Sequence, residues 1–276
     1  MKIAITGSSG FLGQELTKFY ARKNQVLGIQ PAGAGRPMPA ANCETVCFDF
    51  RKDALERLSP ILKGCDMLFH CAYAADLPED LPARLLDLYQ RVSATGKFIY
   101  ISSINVLVPA LEGDPYTKSK QAAEKILFGF LPRIPALVVR PPFLVAAENP
   151  GNFRRIVKLA ALFRIAPLFY PGPNHYPLDT TLFIKAMDEK STRMASPGFY
   201  RFNVLGKEQR PLPEMIRSAV AQAVGGSVFF PRLPSAWVVN MMKIAPCGRG
   251  FMKSKIKLFK AIVYEPVDDG AGITVL

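Results

Sequence analysis

A chain of 276 residues, 49% of them apolar, can bury a sizeable core, which excludes an intrinsically disordered protein. Its five cysteines, at 43, 47, 65, 71 and 247, are odd in number and show neither a disulfide framework nor zinc-ligand spacing, so a reducing cytoplasm is the expected setting. The net charge of +13 is uneven: residues 241–260 hold six basic residues and no acid, but no zinc finger, RNA-recognition signature or basic stripe interleaved with aromatics accompanies them, so nucleic acid is not an expected partner.

Met1 leads straight into the apolar run Ile3–Ile5, without the pattern of a signal peptide, and Arg140 and Arg232 interrupt the best candidates for a membrane span. Over residues 1–140, short apolar runs alternate with helical patterns. Ile3–Thr6, Val26–Ile29, Thr45–Phe48, Met67–Cys71, Phe98–Ser102 and Ala136–Val139 read as buried strands. Between the first two, Leu12, Leu16 and Phe19 share one helix face. Strands alternating with helices predict an α/β fold, a Rossmann-type doubly wound parallel sheet. From Pro141 prolines cluster and strand signals thin out. Residues 141–276 therefore read mainly as a small C-terminal substrate-binding lobe, with a late strand at about 200–204 returning to the core.

The segment Thr6-Gly7-Ser8-Ser9-Gly10-Phe11-Leu12-Gly13 follows the first strand and opens the first helix. Gly7 permits a tight turn, Gly10 lets backbone approach a pyrophosphate, and Gly13 lets helix and strand pack closely. The helix N-terminus then offers free N–H groups and its positive dipole end to phosphates.

Phe98–Ser103 ends the fifth strand, and Tyr116-Thr117-Lys118-Ser119-Lys120 follows after a short loop. Asp114 and Pro115 suit the cap and first position of a helix, which sets Tyr116 and Lys120 on one face at i and i+4. A phenol titrates near pH ~10, and a nearby ammonium favours its anion. Tyr116 could then exchange a proton with a hydroxyl or carbonyl, with a serine hydroxyl bonding the same oxygen. His70, alone in an apolar strand, reads as a core residue.

The glycine spacing, the Gly-Phe-Leu-Gly ending and the Ser/Tyr/Lys set together resemble the extended branch of the short-chain dehydrogenase/reductase family, the NAD(P)-dependent epimerase/dehydratase type. Cys47–Phe50, Asp66–Ala72 and Arg201–Gly206 resemble further strands of that branch. The resemblance implies catalysis by Ser103, Tyr116 and Lys120, Ser103 matching the motif better than Ser102. It implies cofactor contacts at Gly7, Ser9, Gly10, Phe11, Leu12, Gly13, Gln30, Arg36, Asp49, Phe50, Cys71, Ala72, Tyr116, Lys120, Pro142 and Leu144. Substrate contacts would fall at Tyr73, Ser103, Asn105, Phe143, Asn152 and Arg155. A neutral Gln30 with Arg36 downstream favours NADP(H) over NAD(H).

Dehydratases of the branch carry an Asp-Glu pair directly after the active-site Ser or Thr, where this chain has Ile104 and Asn105. That leaves a ketoreductase, or an epimerase that oxidises and re-reduces one carbon. The stretch from Arg140 to Val145, with Pro150–Phe153 and Ala166–Leu168, is similar to reductases of 4-keto sugar nucleotides, so the expected substrate is a keto sugar linked to a nucleotide. The Arg that commonly grips the diphosphate is replaced by Asn174 or His175, which keeps open a hydroxysteroid or other lipid-alcohol dehydrogenase. A cofactor-binding scaffold without activity is the non-enzymatic alternative. Residues 241–260 read as an amphipathic helix packed on the lobe, or as a contact to anionic membrane. A homodimer fits the family.

Overall fold

The computed structural model describes residues 1–34, 41–146, 153–236 and 265–276. Eight parallel strands form one sheet: β1 (Lys2–Thr6), β2 (Gln25–Gln30), β3 (Cys43–Cys47), β4 (Met67–His70), β5 (Lys97–Ile101), β6 (Pro135–Arg140), β11 (Gly198–Leu205) and β14 (Ile273–Val275). Short strands β7 (Leu144–Val145), β8 (Leu168–Tyr170), β9 (Asn174–His175), β10 (Leu178–Asp179), β12 (Arg210–Pro211) and β13 (Arg232–Pro234) pair in twos outside it. Among the described residues the α-helices are α1 (Phe11–Tyr20), α2 (Ser59–Leu62), α3 (Leu81–Val92), α4 (Pro115–Phe128), α5 (Arg154–Phe163), α6 (Thr180–Thr192) and α7 (Leu212–Ala223).

The order across the sheet is β14-β11-β6-β5-β4-β1-β2-β3. This is the doubly wound parallel sheet the alternating pattern predicts, and the continuous apolar runs follow from burial of both faces. One face is covered by α3 and α4, whose Leu85, Leu86, Tyr89 and Leu127 pack with Leu68, Phe98 and Val138. The other is covered by α1 and α6, through Leu16, Tyr20, Phe183 and Met187 against Ile5, Phe69 and Val139. On α1 the buried stripe is Gly13, Leu16, Thr17 and Tyr20, so Leu12 and Phe19 flank the core and do not fill it.

The chain runs from β1 outward to β3, then returns past β1 to β4. The carboxyl ends of β1 and β4 therefore border the crevice where a doubly wound sheet reverses its strand order. Strand β3 begins two residues earlier than its apolar run suggests, because Cys43 pairs with Val26 at the sheet edge. Strand β14, only three residues long, carries too little pattern to be read from sequence; β11 holds it by parallel pairing of Asn203 with Ile273.

A buried ionic cluster ties these late elements to the core. Arg140 donates to Glu124 Oε1 and Oε2 at 3.0 and 2.6 Å, to Asn203 Oδ1 at 3.2 Å and to Asp269 Oδ2 at 2.5 Å. Asn203 Nδ2 donates in turn to Asp269 and to the Gly272 carbonyl, both at 3.1 Å. Beside the sheet, α5 and α7 bury Phe153, Val157 and Ala160 against Met215, Val220 and Val224 in a separate small core. Among the described residues no helix is long and apolar enough to cross a membrane.

Candidate active site

The site begins at the glycine turn. Gly7 adopts φ +70°, and a Cβ there would sit 2.7 Å from the Ala72 nitrogen. A Cβ on Gly13 would lie 2.2 Å from the Gly7 carbonyl oxygen, so the first turn of α1 rests directly on the loop before it. The Gly10 amide closes the turn on the Gly7 oxygen at 2.9 Å. No side chain caps α1, whose N-terminal amides lack intrahelical acceptors and carry the positive dipole end. A groove of about 250 Å³ starts at Gly7, Ser9 and Gly10 and passes Gln30, Asp49 and Phe50 to Cys71, Ala72 and Tyr73. A close-approach backbone cradle at an uncapped helix start, opening into a long groove, fits a dinucleotide.

At the adenosine end of such a ligand, Gln30 is buried and accepts a hydrogen bond from Ser8 Oγ at 3.1 Å. Arg36 lies outside the described residues. The cation found on the groove is Arg51, which no motif marks in the sequence; it is paired with Asp76 at 2.7 Å. Phe11, Leu12 and Gly13 form the first turn of α1, while the buried Pro142 and Leu144 lie beyond the groove lining.

Tyr116 and Lys120 project from α4. Asp114 caps this helix by accepting from the Thr117 amide at 3.0 Å, and Pro115 occupies its first turn. Ser103 lies just past β5, buried and extended (φ −156°), and its hydroxyl accepts from the Asn105 amide at 3.3 Å. The same hydroxyl hydrogen-bonds Tyr116. Ser102, one residue earlier, has a buried hydroxyl without a partner among the described residues.

Lys120 is 5% exposed and donates to the Ile101 carbonyl at 2.9 Å. Its ammonium lies over three tyrosine rings, 4.9 Å from Tyr100, 5.1 Å from Tyr73 and 6.0 Å from Tyr116. Tyr73 meets Tyr116 edge to face at 4.9 Å, joining the groove to the Tyr116 phenol. Burial depresses Lys120 to about 8 and pushes Tyr116 up to about 12. The sequence-based expectation that Lys120 pulls the phenol down is therefore corrected: desolvation outweighs the hydrogen bond from Ser103, and Lys120 faces rings and a carbonyl. Neighbouring His70 bonds Thr6 at 2.8 Å through Nδ1 and stacks on Tyr100; burial drives it down to about 3, so it stays neutral.

A second space, of about 670 Å³, opens from Tyr116 into the lobe. Phe143, Phe153, Ile156, Leu159, Ile165, Phe169, Leu212 and Ile216 are among the residues that line it, and no described lining residue is charged. Of the substrate positions inferred from sequence, Phe143 lines this space, Tyr73 lines the neighbouring groove, and Ser103 lines neither but hydrogen-bonds Tyr116. Asn105 and the exposed Arg155 do not line it, and Asn152 lies outside the described residues. The apolar wall was missed. Its signal was the i, i+3 run Phe153, Ile156, Leu159 leading into α5, which reads equally as ordinary core.

No protein-family model matches the chain. Ceramide reductase of Caulobacter vibrioides is 30% identical over 188 residues, covering 60% of this chain and 53% of that protein; the matched stretch thus spans about half the length of the curated relative. Among solved structures, dTDP-glucose 4,6-dehydratase from Bacillus anthracis superposes with a TM-score of 0.66 at 15% identity, over 94% of this chain and 95% of the other. UDP-glucuronic acid 4-epimerase from Bacillus cereus, solved in complex with NAD, gives 0.62 at 20% identity over 85% and 87%. At these identities the likeness is one of fold: the chain has the Rossmann-type α/β fold of these sugar-nucleotide enzymes.

Proposed function

We propose that the chain is a nicotinamide-dinucleotide-dependent oxidoreductase of the extended short-chain dehydrogenase type, which reduces a ketone on an apolar, lipid-like molecule. The observation that carries the substrate class is the 670 Å³ space at Tyr116, with no charged side chain in its described lining. A diphosphate bound there would lose its hydration without cationic partners, which is costly, whereas an aliphatic chain gains from the same walls. Ceramide reductase, the relative named above, agrees with this class.

Gly7, Ser9, Gly10 and the start of α1 would hold the cofactor's pyrophosphate, with Gln30, Asp49 and Phe50 at the adenosine and Cys71, Ala72 and Lys120 towards the nicotinamide. When bound, the nicotinamide supplies the hydride. Tyr116 then donates its proton to the carbonyl oxygen as the new C–H bond forms, leaving an alcohol and a phenolate that takes its proton back from solvent. A phenol at about 12 is fully protonated at neutral pH, the form a donor in the reductive direction requires. Ser103 hydrogen-bonds the phenol oxygen and holds it in register with the carbonyl. Ile104 and Asn105 supply no acid for loss of water. NAD is the cofactor bound in the epimerase structure of like fold, whereas Arg36, the residue expected to favour a 2′-phosphate, lies outside the described residues.

Reduction or C4 epimerisation of a nucleotide-linked sugar is the second reading, favoured by the sugar nucleotides for which the structural neighbours are named. A cofactor-coupled assay decides, using long-chain keto lipids in one arm and UDP- and dTDP-linked 4-keto sugars in the other. Turnover of the lipids, reduced about 10²–10⁴-fold by Tyr116→Phe, is expected. Turnover of the keto sugars alone would reverse the assignment, and full activity of Tyr116→Phe would remove the mechanism.

A further inference from the structure

Helix α5 has two faces of different fate. Phe153, Val157 and Ala160 bury against α7. On the outside, Leu159 is 55% exposed, Leu162 73% and Phe163 63%; just past the helix Ile165 is 47% exposed and bridges to Phe229, which is 67% exposed. Soluble monomers rarely expose apolar side chains in so contiguous a patch without a use for it. Leu159 and Ile165 also line the 670 Å³ space, so this outer patch is continuous with the wall of the cavity that ends at Tyr116.

Along α5 and the segment that follows it the charge has one sign. Arg154, Arg155, Lys158 and Arg164 are all exposed, and from Phe153 to Leu178 the sequence contains no acid. Arg155, Lys158, Leu159 and Leu162 follow i, i+3, i+4, i+7 spacing, which sets cations beside apolar groups along one side of the helix. Long basic side chains flanking exposed Leu and Phe are the composition of a helix lying in a lipid headgroup layer, the cations reaching to phosphates while the apolar groups enter the acyl boundary. A second copy of the chain is a poorer occupant. An isologous contact would set this acid-free cationic rim against itself.

We propose that the outer face of α5, with Ile165 and Phe229, docks on an anionic phospholipid bilayer and places the mouth of the apolar cavity at the membrane, so that substrate enters from the lipid phase. The entry route rests on the proposed lipid-like substrate; the docking itself does not. Flotation of the full chain tests it, with vesicles of phosphatidylcholine alone or mixed with phosphatidylglycerol. The wild type is expected to float with the mixed vesicles and, at raised salt, to float less. The double variant Leu162→Asp/Phe163→Asp changes two exposed side chains outside the cavity lining. It should lose about tenfold or more of its vesicle binding, keep its melting temperature, and reduce a short water-soluble ketone as the wild type does. On a long-chain ketone embedded in the vesicles its rate should fall with its binding. A wild type that stays unbound with anionic vesicles, or a variant that floats equally well, overturns the docking face. So does a dimer in sedimentation that the double variant abolishes. Normal flotation without reduction of any ketone would defeat the catalytic reading and leave the docking standing.

Discussion

Lys120 donates a 2.9 Å hydrogen bond to the main-chain oxygen of Ile101, and its ammonium lies 6.0 Å from the centre of the Tyr116 ring. The lysine is thus fixed to the end of β5, and it meets Tyr116 over the ring. Three aromatic faces offset part of the cost of burying a cation, yet desolvation still wins and lowers its proton affinity to about 8.

That balance makes Lys120 a destabilising residue at neutral pH. Its proton affinity falls from 10.5 in the open chain to about 8 when folded, so between those values the unfolded chain binds the extra proton and stability rises with pH. Below about 8 the penalty is constant. Lys120→Met should therefore be more stable than the wild type at pH 7, by roughly 1–3 kcal/mol in urea unfolding, and should lack the rise between 8 and 10.5. Turnover should be lost at the same time. A variant less stable than the wild type at pH 7 would contradict this account of the site.

Gly13→Ala tests the cradle. The added methyl would meet the Gly7 carbonyl oxygen at 2.2 Å, a backbone atom that cannot rotate away, so α1 must shift from β1. The expected cost is about 1–3 kcal/mol or more in thermal unfolding, with dinucleotide binding weakened beyond what the stability loss explains. Gly64→Ala, with a φ of +72° but nothing within 4 Å of the new methyl and no place in the groove lining, serves as the control and should leave dinucleotide affinity unchanged.

The Arg140 cluster should govern the acid limit of stability. Burial works to raise the Asp269 carboxyl, but its bonds to Arg140 and Asn203 outweigh that and hold it below 3.8. A depressed carboxyl contributes stability above its unfolded value and loses it as pH falls through the folded one. Asp269→Asn should thus weaken the wild type at pH 7 and flatten the loss below pH ~4. Glu124→Ala leaves a buried guanidinium short of its main partner and should cost about 3–5 kcal/mol at neutral pH. Urea titrations at pH 7 and near pH 3 measure both.

Much of the fold was legible because parallel strands covered on both faces appear as unbroken apolar runs, as in Met67–His70 and Ala136–Val139. The positions of Gly7, Gly10 and Ser103 were legible because they stand at or just past strand ends, and those of Tyr116 and Lys120 because they lie one turn apart on α4, so over each short span sequence spacing nearly equals spatial placement. Arg51 and Tyr100 were not, since one reaches the groove from a loop and the other looks like one more core aromatic until Lys120 is placed over it.

By itself, then, the sequence determined the parallel sheet, the glycine cradle and the register of Tyr116 with Lys120, all set by local periodicity and short spacing. Only the tertiary structure decided what surrounds them. Burial sets the direction of the Tyr116 and Lys120 shifts, and the packing of α5 on α7 turns Ile156, Leu159, Leu212 and Ile216, distant in sequence, into the wall of one apolar space. Desolvation and cavity shape are sums over neighbours from many parts of the chain, and no window of sequence contains them.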